Sequence, residues 1–155
     1  MIKDFVVYSR QAMEGCNGQR SMPHIIVSIT TPGDPYAPAK IKTNENTLGI
    51  LRLSFYDLDR VEPGVEELEC DLFQPSQAKE ILTFVDAHPT AERFIVHCDA
   101  GLSRSPAVAA ALSKILYGDD SRFFRQYHPN MLVYRSILDA HYNKENEDGT
   151  NESSH

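Results

Sequence analysis

Arg93 to Tyr117 reads RFIVHCDAGLSRSPAVAAALSKILY. Its first five residues, RFIVH, form a short apolar, β-branched run, which reads as a buried strand. From Ser103 onward Ala107, Val108, Ala110, Ala111, Leu112, Ile115 and Leu116 fall on one broad helical face, stopped by Gly118. The nine residues at the junction, His97-Cys98-Asp99-Ala100-Gly101-Leu102-Ser103-Arg104-Ser105, therefore pass from the end of a strand to the start of a helix. Free N–H groups at a helix start point outward and the helix dipole favours an anion there. With five residues between Cys98 and Arg104, the amides of such a loop can curl around one tetrahedral anion as a nest. Gly101 admits backbone conformations that a side chain disfavours. Arg104 supplies a planar fork able to hold two anion oxygens at once.

Working outward, strand and helix patterns alternate. Phe5–Tyr8, His24–Thr30 and Gly49–Phe55 read as strands. Arg10–Gly15, Pro75–His88, Asp119–Tyr127 and Pro129–Tyr142 read as helices. Thr31–Lys40, rich in proline, is a loop, and Arg60–Phe73 is acidic and irregular with a Pro63-Gly64 turn. This alternation predicts an α/β fold with a mostly parallel central sheet flanked by helices. One domain is expected over residues 1–142, and the polar run Asn143–His155 is expected to be a disordered tail.

The composition is that of a globular protein: 155 residues, 41% apolar and 24% charged. A net charge of −7 argues against bulk binding to nucleic acid or to an anionic membrane. No signal peptide and no run long enough to span a bilayer is readable. Three cysteines, Cys16, Cys70 and Cys98, suit a reducing compartment better than a disulfide framework, so a cytoplasmic location is expected. The six histidines lack metal-ligand spacing, and no metal or other cofactor is expected.

A free thiol titrates at about 8.5, and an electropositive setting commonly lowers that to roughly 3.5–7.5. The field that would bind an anion over this loop would also ready Cys98 to attack it. The segment from His97 to Ser105 resembles the HC-x5-R-[ST] signature of the cysteine-dependent protein tyrosine phosphatase superfamily. The Ser-Pro-Ala-Val that follows, with its small-residue helix, is most similar to the dual-specificity branch. The resemblance covers about His24 to Tyr142.

What it implies is a phosphoric monoester hydrolase working through a phosphocysteine. Cys98 would be the nucleophile. The backbone of Asp99, Ala100, Gly101, Leu102, Ser103 and Arg104 would cradle phosphate. Arg104 would stabilise the transition state, Ser105 would assist sulfur as leaving group, and His97 would position the loop. The general acid would be an Asp on a loop after an earlier strand, which makes Asp57 the first choice, Asp59 the second and Asp71 an outside candidate. Pro129-Asn130-Met131 resembles a segment that lies near the active loop in relatives. The substrate would be a phosphorylated protein or a small phosphate monoester. Because the loop holds Asp99 and no lysine, a highly anionic substrate is disfavoured.

Two rivals stand beside this reading: a rhodanese-like sulfurtransferase, which also uses a cysteine in a short anion-binding loop, and a catalytically dead phosphate-binding module. A disulfide between Cys98 and Cys70, and rim positions for Tyr36 or Tyr56, are further conceivable features. Oligomeric state is not readable from the sequence.

Overall fold

The computed structural model describes residues 1–15, 20–33, 37–59 and 71–153. Cys16, Cys70, Tyr36 and the Pro63-Gly64 turn lie outside the described residues, as does any pairing of Cys98 with Cys70.

Among the described residues four strands and five helices follow one another: β1 (Asp4–Tyr8), α1 (Arg10–Gly15), β2 (His24–Thr30), β3 (Thr47–Ser54), α2 (Pro75–Asp86), β4 (Arg93–His97), α3 (Arg104–Tyr117), α4 (Ser121–Gln126) and α5 (Met131–Ser153). The strands form one sheet in the order β1-β4-β2-β3, with all three pairings parallel. The parallel α/β sheet expected from the alternation is thus the one observed.

Its pattern explains itself at β2, where HIIVSIT is buried at every position. A parallel strand covered on both faces needs a nearly continuous apolar run. Ile25, Val27 and Ile29 join the larger core beneath α2–α5, with Phe5, Phe94, Val96, Val108, Phe123 and Ile137. Ile26 points the other way, into a smaller cluster with Met13 of α1 and Ile95. Alternate residues of one strand therefore serve opposite layers.

α3 is buried along its whole first half, Arg104 to Leu112. The alanines at 107 and 109–111 leave room for that half to be enclosed by its neighbours. Gly118 ends the helix with a positive φ of 73°, its N–H donating to the Lys114 carbonyl, as a left-handed cap requires.

The elements deviate from the sequence reading mainly at their ends. In place of the disordered tail expected from Asn143, the backbone of α5 stays helical through Ser153. Lys144, Glu145, Asn146 and Glu147 are polar but none is a strong helix breaker, and the first glycine comes only at 149. No described helix is long and apolar enough to cross a membrane.

The β1–β2 and β3–β4 crossovers run in opposite directions along the sheet. In such sheets ligands settle in the crevice beyond the carboxyl ends of strands, where the strand order reverses. Tyr8 of β1, His97 of β4 and Ser28 of β2 stand side by side at that end. The loop that follows β4 lies directly beyond them.

Candidate active site

β4 ends at His97 and α3 begins at Arg104, so Cys98–Ser103 form the loop between them. The loop is held from outside by its own carbonyls. His97 Nδ1 reaches the Cys98 carbonyl at 3.2 Å. The Arg10 N–H donates to the Asp99 carbonyl, the His128 N–H to that of Leu102, and the Asn130 N–H to that of Ser103. A planar trans peptide directs each C=O opposite to the next residue's N–H. Four carbonyls tied outward therefore leave the N–H groups of Asp99, Ala100, Ser103 and Arg104 directed to the inner side, which is the arrangement a nest requires.

Gly101 is the tight point of the turn. Its φ is 72°, and an added Cβ would lie 2.7 Å from the Ser9 nitrogen and 2.9 Å from the Tyr8 carbonyl carbon. Both the left-handed backbone and the backbone neighbours exclude a side chain. Gly101→Ala is expected to cost about 1–3 kcal/mol. For a chain of this size that is a fall in Tm of several degrees, at about 2–4 °C per kcal/mol, readable by calorimetry. A Tm within 1 °C of wild type would contradict this packing.

Cys98 is 2% exposed at the floor of the loop. Its Sγ lies 3.1 Å from Ser105 Oγ and accepts the Gly101 N–H at 3.2 Å. Beneath it, His97 Nε2 and Ser28 Oγ are 2.6 Å apart. The Cys98 carbonyl can only accept, so His97 Nδ1 carries the proton, Nε2 accepts, and the Ser28 hydroxyl donates. Burial, the largest influence, pushes the His97 pKa below its ordinary value, which keeps this relay neutral.

Arg104 is 5% exposed. Its Nη1 donates to the Phe55 carbonyl at 2.8 Å and to Thr31 Oγ1 at 3.0 Å, and its Nη2 to Asp99 Oδ2 at 3.0 Å. Its Nε is buried with no hydrogen-bond partner among the described residues. Asp57 reaches the loop from beyond β3: its Oδ1 accepts from Ser103 Oγ at 2.8 Å and from Asn130 Nδ2 at 2.9 Å. Asp59 is exposed, and Asp71 meets this region through its carbonyl, which accepts the Tyr56 N–H at 2.8 Å. Leu102, 55% exposed, projects from the loop.

Cys98, Arg104, Ser105 and Asp57 are thus brought together around one loop. Thr31, Ser28 and the Phe55 carbonyl also belong to it, and the sequence carried no signal for them. Asn130 had one, in the Pro129-Asn130-Met131 segment, and it ties the start of α5 to both the loop and Asp57. Among the described residues no cluster of three or more His, Cys, Asp or Glu could hold a metal.

Searches with this structure find solved structures of matching architecture. Human DUSP28 superposes with a TM-score of 0.57 at 13% identity, covering 92% of this chain and 94% of that one. The fold is that of the dual-specificity phosphatases. PTPMT1 in complex with PI(5)P matches this phosphatase fold at TM-score 0.53 and 12% identity, over 92% and 91% of the two chains. The human tyrosine phosphatase-like serine/threonine/tyrosine-interacting protein matches at 0.52 and 17%, over 79% and 78%. No family model and no curated protein sequence matches the chain.

Proposed function

We propose that the chain is a phosphoric monoester hydrolase of the protein tyrosine or dual-specificity phosphatase kind. The Cys98 thiolate attacks phosphorus and forms the S–P bond as the ester P–O bond breaks, while Asp57 gives its proton to the leaving oxygen. Water then attacks the phosphocysteine, Asp57 takes a proton from it, and the thiolate leaves with a hydrogen bond from Ser105. The inward amides of the loop and Arg104 bear the charge on the equatorial oxygens in both steps, usually the largest catalytic contribution.

The observation that carries this reading is the state of Arg104. A buried donor without a partner is costly unless something fills the place, and Nε of Arg104 is such a donor on the loop that also holds the sulfur. A phosphate oxygen fits it in charge and in number of acceptors.

The substrate class follows from the charge of the cup. PTPMT1 was crystallised with a phosphoinositide, but here the residue after the nucleophile is Asp99 and the loop has no lysine. A single phosphate on a protein side chain, tyrosine first, suits that cup better than a crowded polyanion. A thiol of this kind works in a reducing compartment such as the cytoplasm.

The test is turnover of p-nitrophenyl phosphate and of a phosphotyrosine peptide by the wild-type chain. Release of inorganic phosphate from both is expected. Binding of the phosphopeptide without release would establish the catalytically silent module instead, and thiosulfate:cyanide transfer without phosphate release would establish the sulfurtransferase.

A further inference from the structure

The position after the nucleophile holds a carboxylate, an odd choice for a loop that must attract an anion. Asp99 Oδ2 accepts from Thr31 Oγ1 at 2.5 Å and from Arg104 Nη2 at 3.0 Å. Thr31 Oγ1 in turn accepts from Arg104 Nη1 at 3.0 Å. The three side chains close a ring, with the single Thr31 proton directed to the carboxylate and a Thr31 lone pair facing the guanidinium.

A guanidinium has five N–H donors in one plane. Nη1 spends its two on Thr31 and the Phe55 carbonyl, and Nη2 spends one on Asp99. Among the described residues that leaves Nε–H without a partner and one further N–H on Nη2. In a planar guanidinium those two lie on the same edge, spaced for two oxygens of one tetrahedral anion. Asp99 and Thr31 occupy the other edge together.

We propose that Asp99 is the positioning residue of Arg104: tied to Thr31, it grips the far edge of the guanidinium and leaves the Nε edge set for two phosphate oxygens. The inference rests on the phosphatase reading and deepens it. A buried cation without a carboxylate would be unpaired in the empty protein, and a free arginine side chain would have to be ordered anew at each binding event. Desolvation pushes the Asp99 carboxyl up, but the hydrogen bonds from Thr31 and Arg104 and the charges of Arg104 and Arg10 outweigh it, and its pKa is lowered. The grip is therefore ionic across the neutral range.

The arrangement has an opposing consequence. The charge that orients Arg104 also repels the bound phosphate. Removing the charge while keeping the shape should separate the two effects. Asp99→Asn should bind inorganic phosphate several-fold more tightly by calorimetry, yet show a lower kcat on p-nitrophenyl phosphate. Asp99→Ala, which loses the grip as well, should lose about 10²-fold in kcat/KM, the usual consequence of a misplaced group. Thr31→Val, which loses the hydroxyl, should move toward Asp99→Ala, and Thr31→Ser, which restores it, should recover most of that loss.

A merely structural role would weaken phosphate binding and turnover together in Asp99→Asn, and that result would overturn the proposal. So would a kcat/KM for Asp99→Ala within about twofold of wild type. If the wild-type chain released no phosphate from any ester, the phosphatase reading alone would fail. The phosphate-binding comparison of wild type with Asp99→Asn would still decide the role of Asp99, tighter binding supporting it and weaker binding refuting it.

Discussion

Cys98→Ser is expected to abolish phosphate release, with a loss of at least about 10⁴-fold, and to leave phosphate binding intact. The expectation rests on geometry as much as on chemistry. Oxygen for sulfur is a near-isosteric change at a 2% exposed position, so the carbonyl ties of the loop and the Arg104 contacts need not move. Among the described residues, a serine hydroxyl in this place has no general base beside it. His97 is committed below the loop, Nδ1 to the Cys98 carbonyl and Nε2 to Ser28. The remaining neighbour, Ser105 Oγ, is itself a hydroxyl. Without a base or a lowered pKa the alcohol stays protonated and attacks poorly. The check is steady-state turnover of p-nitrophenyl phosphate, with calorimetric titration of inorganic phosphate as the control. Retained turnover in Cys98→Ser would remove the covalent mechanism.

The second large effect is at Asp57. Asp57→Asn should lower kcat on a phosphotyrosine peptide by about 10²–10⁴-fold, the usual worth of a general acid. The amide keeps the side chain's shape and can still accept from Ser103 Oγ and Asn130 Nδ2, so the loss reports the proton and not the fold. The loss should be smaller with p-nitrophenyl phosphate, whose leaving group departs readily without help. Asp59→Asn is the companion measurement. An equal loss there, with Asp57→Asn near wild type, would transfer the role.

Much of this was legible in the sequence because it is local. The strand RFIVH, the loop and the alanine-rich helix are contiguous, so their order alone places a sulfur, a glycine turn and an arginine at one helix start. Burial on both faces made β2 equally plain. Asp57 was pointed to only by the family resemblance, which expects an Asp after an earlier strand, and Asp59 and Asp71 competed on the same grounds. Thr31, Ser28 and the Phe55 carbonyl were invisible because nothing in their own neighbourhood marks them. Thr31 looks like the start of a proline-rich loop and Ser28 like an interruption in an apolar strand. Each matters only through a partner brought close by the strand order. A backbone carbonyl such as that of Phe55 has no residue type by which to be found. The helical continuation past Tyr142 escaped for a different reason: polarity marks a segment as exposed, not as irregular.

The strand order also bears on when during synthesis the protein could begin to act. β1 is made before the other described strands, yet among them its sheet neighbour is β4, made after the rest. At about 5–20 residues per second, β1 leaves the ribosome on the order of five to twenty seconds before its partner exists. β2 and β3 can join meanwhile, since they are consecutive and adjacent. Gly101 cannot take up its place until the Tyr8–Ser9 corner is seated against it, and Asn130, from later still, must arrive to hold Ser103 and Asp57. The thiol of Cys98 is made directly after β4, so it gains the means to act only once β1 has paired with β4 and Asn130, made later, has docked on Ser103 and Asp57.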